Sequence, residues 1–204
     1  MKNEDNAELV TQEIRGKLRQ FIRLLMSYID FQQAEAISGY IIEHNLHERY
    51  PQERFLHQGL NTGMIVAYCR PMSANERGGD TKVPKLPGRI FQVLTKDEHG
   101  LHEAIKNDRD TVLAHSDSAA WELKPLILRL PVGDILVPVH NDVHAPLTRD
   151  ATKHFHVMCE KLREACFDER LRLESELKPY IQIIEPDGEE LAHMAEQLGI
   201  TLPR

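Results

Sequence analysis

The stretch from Thr148 to Pro179 constrains this chain more than any other. Between a threonine suited to capping a helix start and a proline that ends one, Phe155, Cys159, Leu162, Cys166, Leu173 and Leu177 recur at intervals of three, four and seven residues. An α-helix turns ~100° per residue, so this spacing gathers all six side chains on one face. The pattern predicts a helix over Arg149–Leu177 with an unbroken apolar stripe. Such a stripe is stable against other helices of comparable length, and an antiparallel bundle is the expected architecture.

The preceding sequence supplies the partners. A first helix is predicted from Ala7 to Ile29, with Val10, Ile14, Leu18, Phe21, Ile22, Leu25 and Ile29 as its core stripe and Arg15, Lys17, Arg19 and Arg23 on its solvated faces. A second, Phe31–Glu43, carries Ala34, Ile37, Ser38 and Ile41, with Gly39 beside Ser38 to admit a close neighbour. A third begins after Pro51, runs through Phe55, Leu56, Leu60, Met64, Val66 and Tyr68, and stops near Arg70 because Pro71 disfavours helix at the residue before it. Residues 71–94, rich in Gly and Pro, read as a long loop.

Between the loop and the last helix the pattern changes twice. Thr95 and Glu98, three residues apart, form a capping box that starts a helix with Leu101, Ala104, Ile105 and Val112 at helical spacing. Over 121–146, Leu126, Leu128 and Leu130, then Ile135, Val137 and Val139, alternate in strand fashion around Gly133-Asp134. Pro125, Pro131 and Pro138 restrict any strands to edges, so a two-stranded hairpin packed on the bundle is expected. The fold class is therefore mainly all-α: an antiparallel bundle of four to five helices over 1–178, containing the 71–94 loop and the 121–146 excursion, with a small C-terminal appendage over 179–204.

The helix that opens at Thr95 carries the chemistry. Arg109 and His115 fall at the two margins of its apolar face, with Asp108, Asp110, Ser116 and Asp117 around them. Polar groups bordering a core need a physical reason. The string Arg109-Asp-Thr-Val-Leu-Ala-His-Ser-Asp117 resembles the signature of the HEPN family (higher eukaryotes and prokaryotes nucleotide-binding domains), an arginine followed shortly by a histidine, in the branch of abortive-infection and toxin components. The resemblance implies a helical bundle that dimerises with the motif at its twofold junction. It also implies metal-independent cleavage of RNA, with no cofactor. His115 would then exchange protons, Arg109 would grip phosphate, Asp110 would orient them, and Lys106 and Ser116 would assist at the phosphate. Within one regular helix Arg109 and His115 are ~9 Å apart along the axis and ~120° apart around it, so two copies would serve one cleft better than one. Asp110 departs from the Asn or His usual after the arginine and brings negative charge to a phosphate site, which leaves a non-catalytic module binding a nucleotide, an antitoxin or another protein as the alternative.

Other features point away from chemistry. A net charge of −7 argues against nucleic-acid binding over a broad surface and leaves room for a local cationic cleft. Three cysteines give no disulfide framework, and Cys159 and Cys166 read as core residues. His44, His47 and His57, and likewise His140, His144, His154 and His156, read as surface histidines rather than metal ligands. No run approaches the ~18 apolar residues of a membrane span, and with the polar start Met1-Lys-Asn-Glu-Asp-Asn6 a cytosolic protein is expected.

Overall fold

The computed structural model describes residues 2–73, 83–110, 124–139 and 145–181, with the backbone alone at 2–11, 124, 138 and 139. Its elements are α1 (Lys2–Glu43), α2 (Tyr50–Cys69), α3 (Lys96–Asp108), a hairpin of β1 (Lys124–Leu130) and β2 (Gly133–Val139), and α4 (Arg149–Leu177). The protein is mainly helical, as expected. Of the predicted appendage over 179–204, residues 182–204 lie outside the described residues.

Local sequence sets the helix ends. Thr148 accepts the Ala151 N–H at the start of α4, and Thr95 and Glu98 complete the capping box of α3 with both reciprocal bonds. At the end of α1 the Leu46 N–H returns to the Ile41 carbonyl and the Asn45 N–H to that of Ile42, with Asn45 at φ 52° and Leu46 buried beneath the turn. That is the Schellman closure, in which asparagine tolerates the left-handed position. Nothing of the kind stands between Ile29 and Phe31, so the two helices expected over 7–43 are one.

The merger changes which face of α1 is core. Leu24, Phe31, Ala34 and Ile41 are fully buried, whereas Leu18 and Ile22 are each 39% exposed and Ile29 is 62% exposed. The stripe assigned to the core through Leu18, Ile22 and Ile29 thus points outward, and Arg23, assigned to the solvated face, is buried. In α2, Met64 and Tyr68 are buried as expected, while Phe55, Leu56 and Val66 are exposed and His57 and Asn61 take core places. All six stripe residues of α4 are buried.

α1 and α4 run antiparallel along their shared length, and α2, the turn at 88–93 and α3 cover one side of the pair. Phe31, Tyr68 and Phe155 bring α1, α2 and α4 together, with ring centroids 5.6 and 5.1 Å from Tyr68. Such tilted ring pairs add ~0.5–1.5 kcal/mol each beyond the area they bury. Ile90 of the 88–93 turn, Leu94 just after it and Ile105 of α3 complete the core, and Arg89 pairs with Glu169 on α4.

The hairpin forms in the register Leu130↔Gly133, Leu128↔Ile135 and Leu126↔Val137, with Gly133 at φ 130°. That register leaves the nitrogens of Pro125 and Pro138, which face each other, pointing away from the partner strand, where a missing N–H breaks no bond between them. The expectation that the hairpin packs on the bundle fails. Ile127 and Leu136 are each 70% exposed on one face, Leu126 and Leu128 about half exposed on the other, and none of the hairpin side chains described belongs to the core.

Two of the histidines read as surface residues are structural. His57 is buried, its ring edge-on to His47 at 4.6 Å and near Tyr50 at 5.8 Å, with neither ring nitrogen in a formed hydrogen bond. His47 is half-buried, its Nε2 meeting the Leu147 carbonyl at 3.2 Å and Thr152 Oγ1 at 3.1 Å. Burial lowers the pKa of both rings, and each is lowered further by a neighbouring charge, His47 for His57 and Arg149 for His47. A lowered folded-state pKa means that the unfolded chain takes up protons first, below the ordinary histidine value of ~6.5. Stability present above that pH is lost as pH falls below it. The urea midpoint is expected to drop between about pH 7 and pH 5, and His57→Leu to flatten that dependence; equal slopes for parent and variant would contradict a neutral buried ring.

Candidate functional site

α1 builds the site from a distance. The buried guanidinium of Arg23 donates from Nη2 to the Ser73 carbonyl at 2.9 Å and from Nε to the Pro84 carbonyl, bringing together the two ends of the segment 74–82, which itself lies outside the described residues. A buried charge of this kind is tolerable because it is hydrogen-bonded and has a neighbouring carboxylate in Asp30. Asp30 in turn accepts from Arg70 Nη1 at 3.2 Å. The Leu86 N–H bonds the Pro71 carbonyl at 2.9 Å, so the chain returns beside its own exit from α2. These bonds fix Ser73 and Lys85 as one wall.

The opposite wall is the C-terminal turn of α3. The helix bonding continues through Arg109, whose N–H reaches the Ile105 and Lys106 carbonyls. Lys106 and Arg109 stand three residues apart on one face, as helical spacing requires. Between the walls lies an open cleft of about 360 Å³ lined by Cys69, Met72, Ser73, Lys85, Lys106, Arg109 and Asp110. Three of the five residues singled out from sequence, Lys106, Arg109 and Asp110, are therefore together at one cleft. His115 and Ser116 lie outside the described residues.

The ion pairs at the rim are local. Arg109 Nη1 donates to Asp110 Oδ1 at 2.6 Å, and Lys106 Nζ to both carboxylate oxygens of Glu103 at 3.0 Å. The hydrogen bond from Lys106 and its charge hold the Glu103 carboxyl below its ordinary range. Lys85 has no ion-pair partner among the described residues. Burial pushes the Cys69 thiol up to about 11, with Arg109 and Lys106 opposing and Asp110 adding to the rise. The thiol is neutral near pH 7 and serves as wall, not nucleophile.

Sequence reasoning passed over Lys85 and Ser73, set in what read as surplus loop, and His102. The histidine occupies positions i, i+4 and i+7 with Lys106 and Arg109, a signal legible in the spacing. It is buried, its Nδ1 2.7 Å from the Tyr68 hydroxyl, its Nε2 3.5 Å from Glu103 Oε1, and its ring 4.8 Å from that of Phe91. Burial raises the Tyr68 pKa far above its ordinary value, so the hydroxyl keeps its proton, and it stands 3.6 Å from Met158 Sδ as well as beside Nδ1. Nε2 thus faces Glu103, the carboxylate that holds Lys106.

No other described group competes as a centre. His156, read as a surface residue, is half-buried, its Nδ1 3.1 Å from both Ser38 Oγ and the Glu35 carbonyl, whereas His154 is exposed. Among the described residues no cluster of three or more His, Cys, Asp or Glu could hold a metal ion, and no helix is long and apolar enough to cross a membrane. His140 and His144 lie outside the described residues. No protein-family model, curated protein or solved structure matches the chain.

Arg23→Met leaves the Ser73 and Pro84 carbonyls without their donor and Asp30 without one of its cations. The substitution is expected to cost about 2–4 kcal/mol, read as a lower urea midpoint at unchanged slope; a loss below about 0.5 kcal/mol would mean that the guanidinium is not holding the wall.

Proposed function

We propose that the cleft receives a phosphate of RNA and that the chain is a metal-independent endoribonuclease of the HEPN type, in the toxin or phage-defence setting which the sequence resemblance implies. One observation carries the reading: Lys85, Lys106 and Arg109, drawn from two separate segments, line a single open cleft whose volume falls in the range of small-molecule sites. Arginine's planar fork suits two phosphate oxygens at once, and the lysines add point charge. Met72 and Cys69 give the same cleft an apolar side on which a base can rest.

In this reading a ribose 2′-hydroxyl attacks the adjacent phosphorus while the bond from phosphorus to the 5′-oxygen breaks, leaving a cyclic phosphate and a 5′-hydroxyl. His115 takes the 2′-hydroxyl proton or returns one to the leaving oxygen, since its ordinary pKa of ~6.5 permits both near neutrality. Arg109 stabilises the charge that grows on the phosphoryl oxygens. Asp110 holds the guanidinium in place until phosphate replaces it.

A second reading, a module that binds a nucleotide or a protein without cleaving, is favoured by the direct pairing of Arg109 with Asp110. Incubation of purified protein with single-stranded RNA in EDTA separates the two. Cleavage to cyclic-phosphate ends is expected, with Arg109→Ala and His115→Ala each lowering kcat/KM by roughly 100-fold or more and Lys85→Ala acting mainly on KM. An inactive parent overturns the nuclease. The second reading then requires nucleotide binding that Arg109→Ala abolishes.

A further inference from the structure

α1 has two apolar faces, and among the described residues the fold covers one. The bonds of Lys17 to Glu176, of Glu35 to Arg163 and of Ser38 to His156, with the contact of Tyr28 and Phe167, orient both helices of the α1–α4 pair. On α1, Arg23, Leu24, Phe31, Ala34 and Ile41 turn to the side that α2 and α3 cover. Leu18, Ile22, Ile29 and Tyr40, at helical spacing, turn to the other. On α4, Phe167 and Leu171 turn the same way, 41% and 44% exposed. The bare face therefore spans both helices, and from Leu18 to Tyr40 it runs for roughly 33 Å at 1.5 Å per residue.

We propose that this face is the contact between two copies of the chain, packed back to back so that two α1–α4 pairs form a four-helix layer. Two features select a second copy over an unrelated partner. A helix pair covered on one side lacks one layer of a two-layer core, and an identical bare pair supplies it with matching length and spacing. The antiparallel register also places Ile22 level with Leu171 and Ile29 level with Phe167. A twofold axis parallel to the helices lays α1 of one copy over α4 of the other, so apolar levels meet apolar levels. Weighted by exposure, these six side chains offer on the order of 500 Å² of apolar surface, close to the apolar share of the ~800 Å² per partner that a stable interface buries.

This contact lies away from the cleft, since Arg23, which holds the cleft wall, leaves α1 on the covered side. It differs from the motif-centred junction implied by the HEPN resemblance, and it stands or falls separately from the nuclease reading. Sedimentation equilibrium of the full chain tests it. A dimer is expected, with Ile22→Glu/Ile29→Glu weakening association by roughly 100-fold or more. Because both positions are solvent-facing in one chain, the helical circular dichroism and thermal midpoint of the variant's monomer remain those of a folded protein. A parent monomeric at about 100 µM overturns the inference. So does a dimer that the double variant leaves intact, or one that Ile127→Asp on the hairpin dissociates while the helix variant does not.

Discussion

The antiparallel contact of α1 with α4 is the constraint on which the other elements depend. Apolar side chains supply its driving force, with Leu24, Phe31 and Ile41 on one helix and Phe155, Leu162 and Cys166 on the other, all fully buried. Apolar stripes alone leave the register loosely set, because sliding by one turn, ~5.4 Å, exchanges one set of aliphatic contacts for a similar one. Directional bonds remove that freedom. Arg163 Nε donates to Glu35 at 2.7 Å and Arg163 Nη1 to the Tyr28 hydroxyl at 3.3 Å. His156 sits against Ser38 and Gly39, where an added Cβ would stand 3.3 Å from the imidazole Cε1. At the helix ends Arg149 reaches Asn45 and Glu48. Each exposed pair contributes little energy, yet together they make one register fit and its neighbours misfit.

With that pair fixed, the buried polar residues of α1 and α2 act as brackets for irregular chain. Arg23 binds both ends of the 74–82 segment, Asp30 holds Arg70 at the exit of α2, and Asn61 accepts the Leu147 N–H at 3.0 Å as the chain approaches α4. Each satisfies backbone groups or charges that helices cannot satisfy for a loop, and each costs free energy if left unpaired. The cleft results from this bracketing. Its floor is the end of α2, and one wall exists because Arg23 leaves Ser73 and Lys85 no other place. Cleft-lining side chains on a loop are thus held by a core residue of a helix that does not touch the cleft.

How much of this was legible in the sequence varied with the kind of signal. Caps were read to the residue: Thr148, and Thr95 with Glu98, act through neighbouring backbone atoms, which a sequence contains in full, whereas α2 opens at Tyr50, ahead of the Pro51 after which it was expected. The six-residue stripe of α4 was read correctly because it is the one sustained apolar run on that helix, while Val157, Phe167 and Leu171 on the other faces stand apart among charged residues. α1 misled because it has two apolar faces, and periodicity says that a face is apolar without saying which neighbour covers it. The buried Arg23, His57 and His102 escaped for a related reason: their burial is set by partners 50, 10 and 34 positions away, Ser73, His47 and Tyr68. The hairpin was legible as a hairpin, from alternation and Gly133, while its detachment from the core is a tertiary fact. At the cleft, Lys106, Arg109 and Asp110 are close in sequence and were found together, whereas Lys85 and Ser73 reach them through the return of the chain past Pro71.

The electrostatics of the cleft fit an anion better than a permanent salt-bridge network. The chain carries a net charge of −7, so at long range a phosphate meets net repulsion. At the cleft, two cations are occupied by carboxylates on their own turn of helix, Arg109 by Asp110 and Lys106 by Glu103, and both carboxylates are largely solvent-exposed. Exposed pairs of this kind are worth ~0–1 kcal/mol, because water screens the attraction and the side chains lose freedom in making it. An arriving phosphate can therefore displace either carboxylate at small cost, and it receives charge-assisted hydrogen bonds partly shielded by Cys69 and Met72, worth more there than in open water. The carboxylates then have a role that their sign alone would not suggest. They keep the guanidinium and ammonium groups at the rim, extended toward the cleft, so that the ligand does not bear the whole cost of ordering them. Under the proposed reading, the negative charge that Asp110 brings beside Arg109 is compatible with phosphate binding for this reason, because the pair lies at the surface.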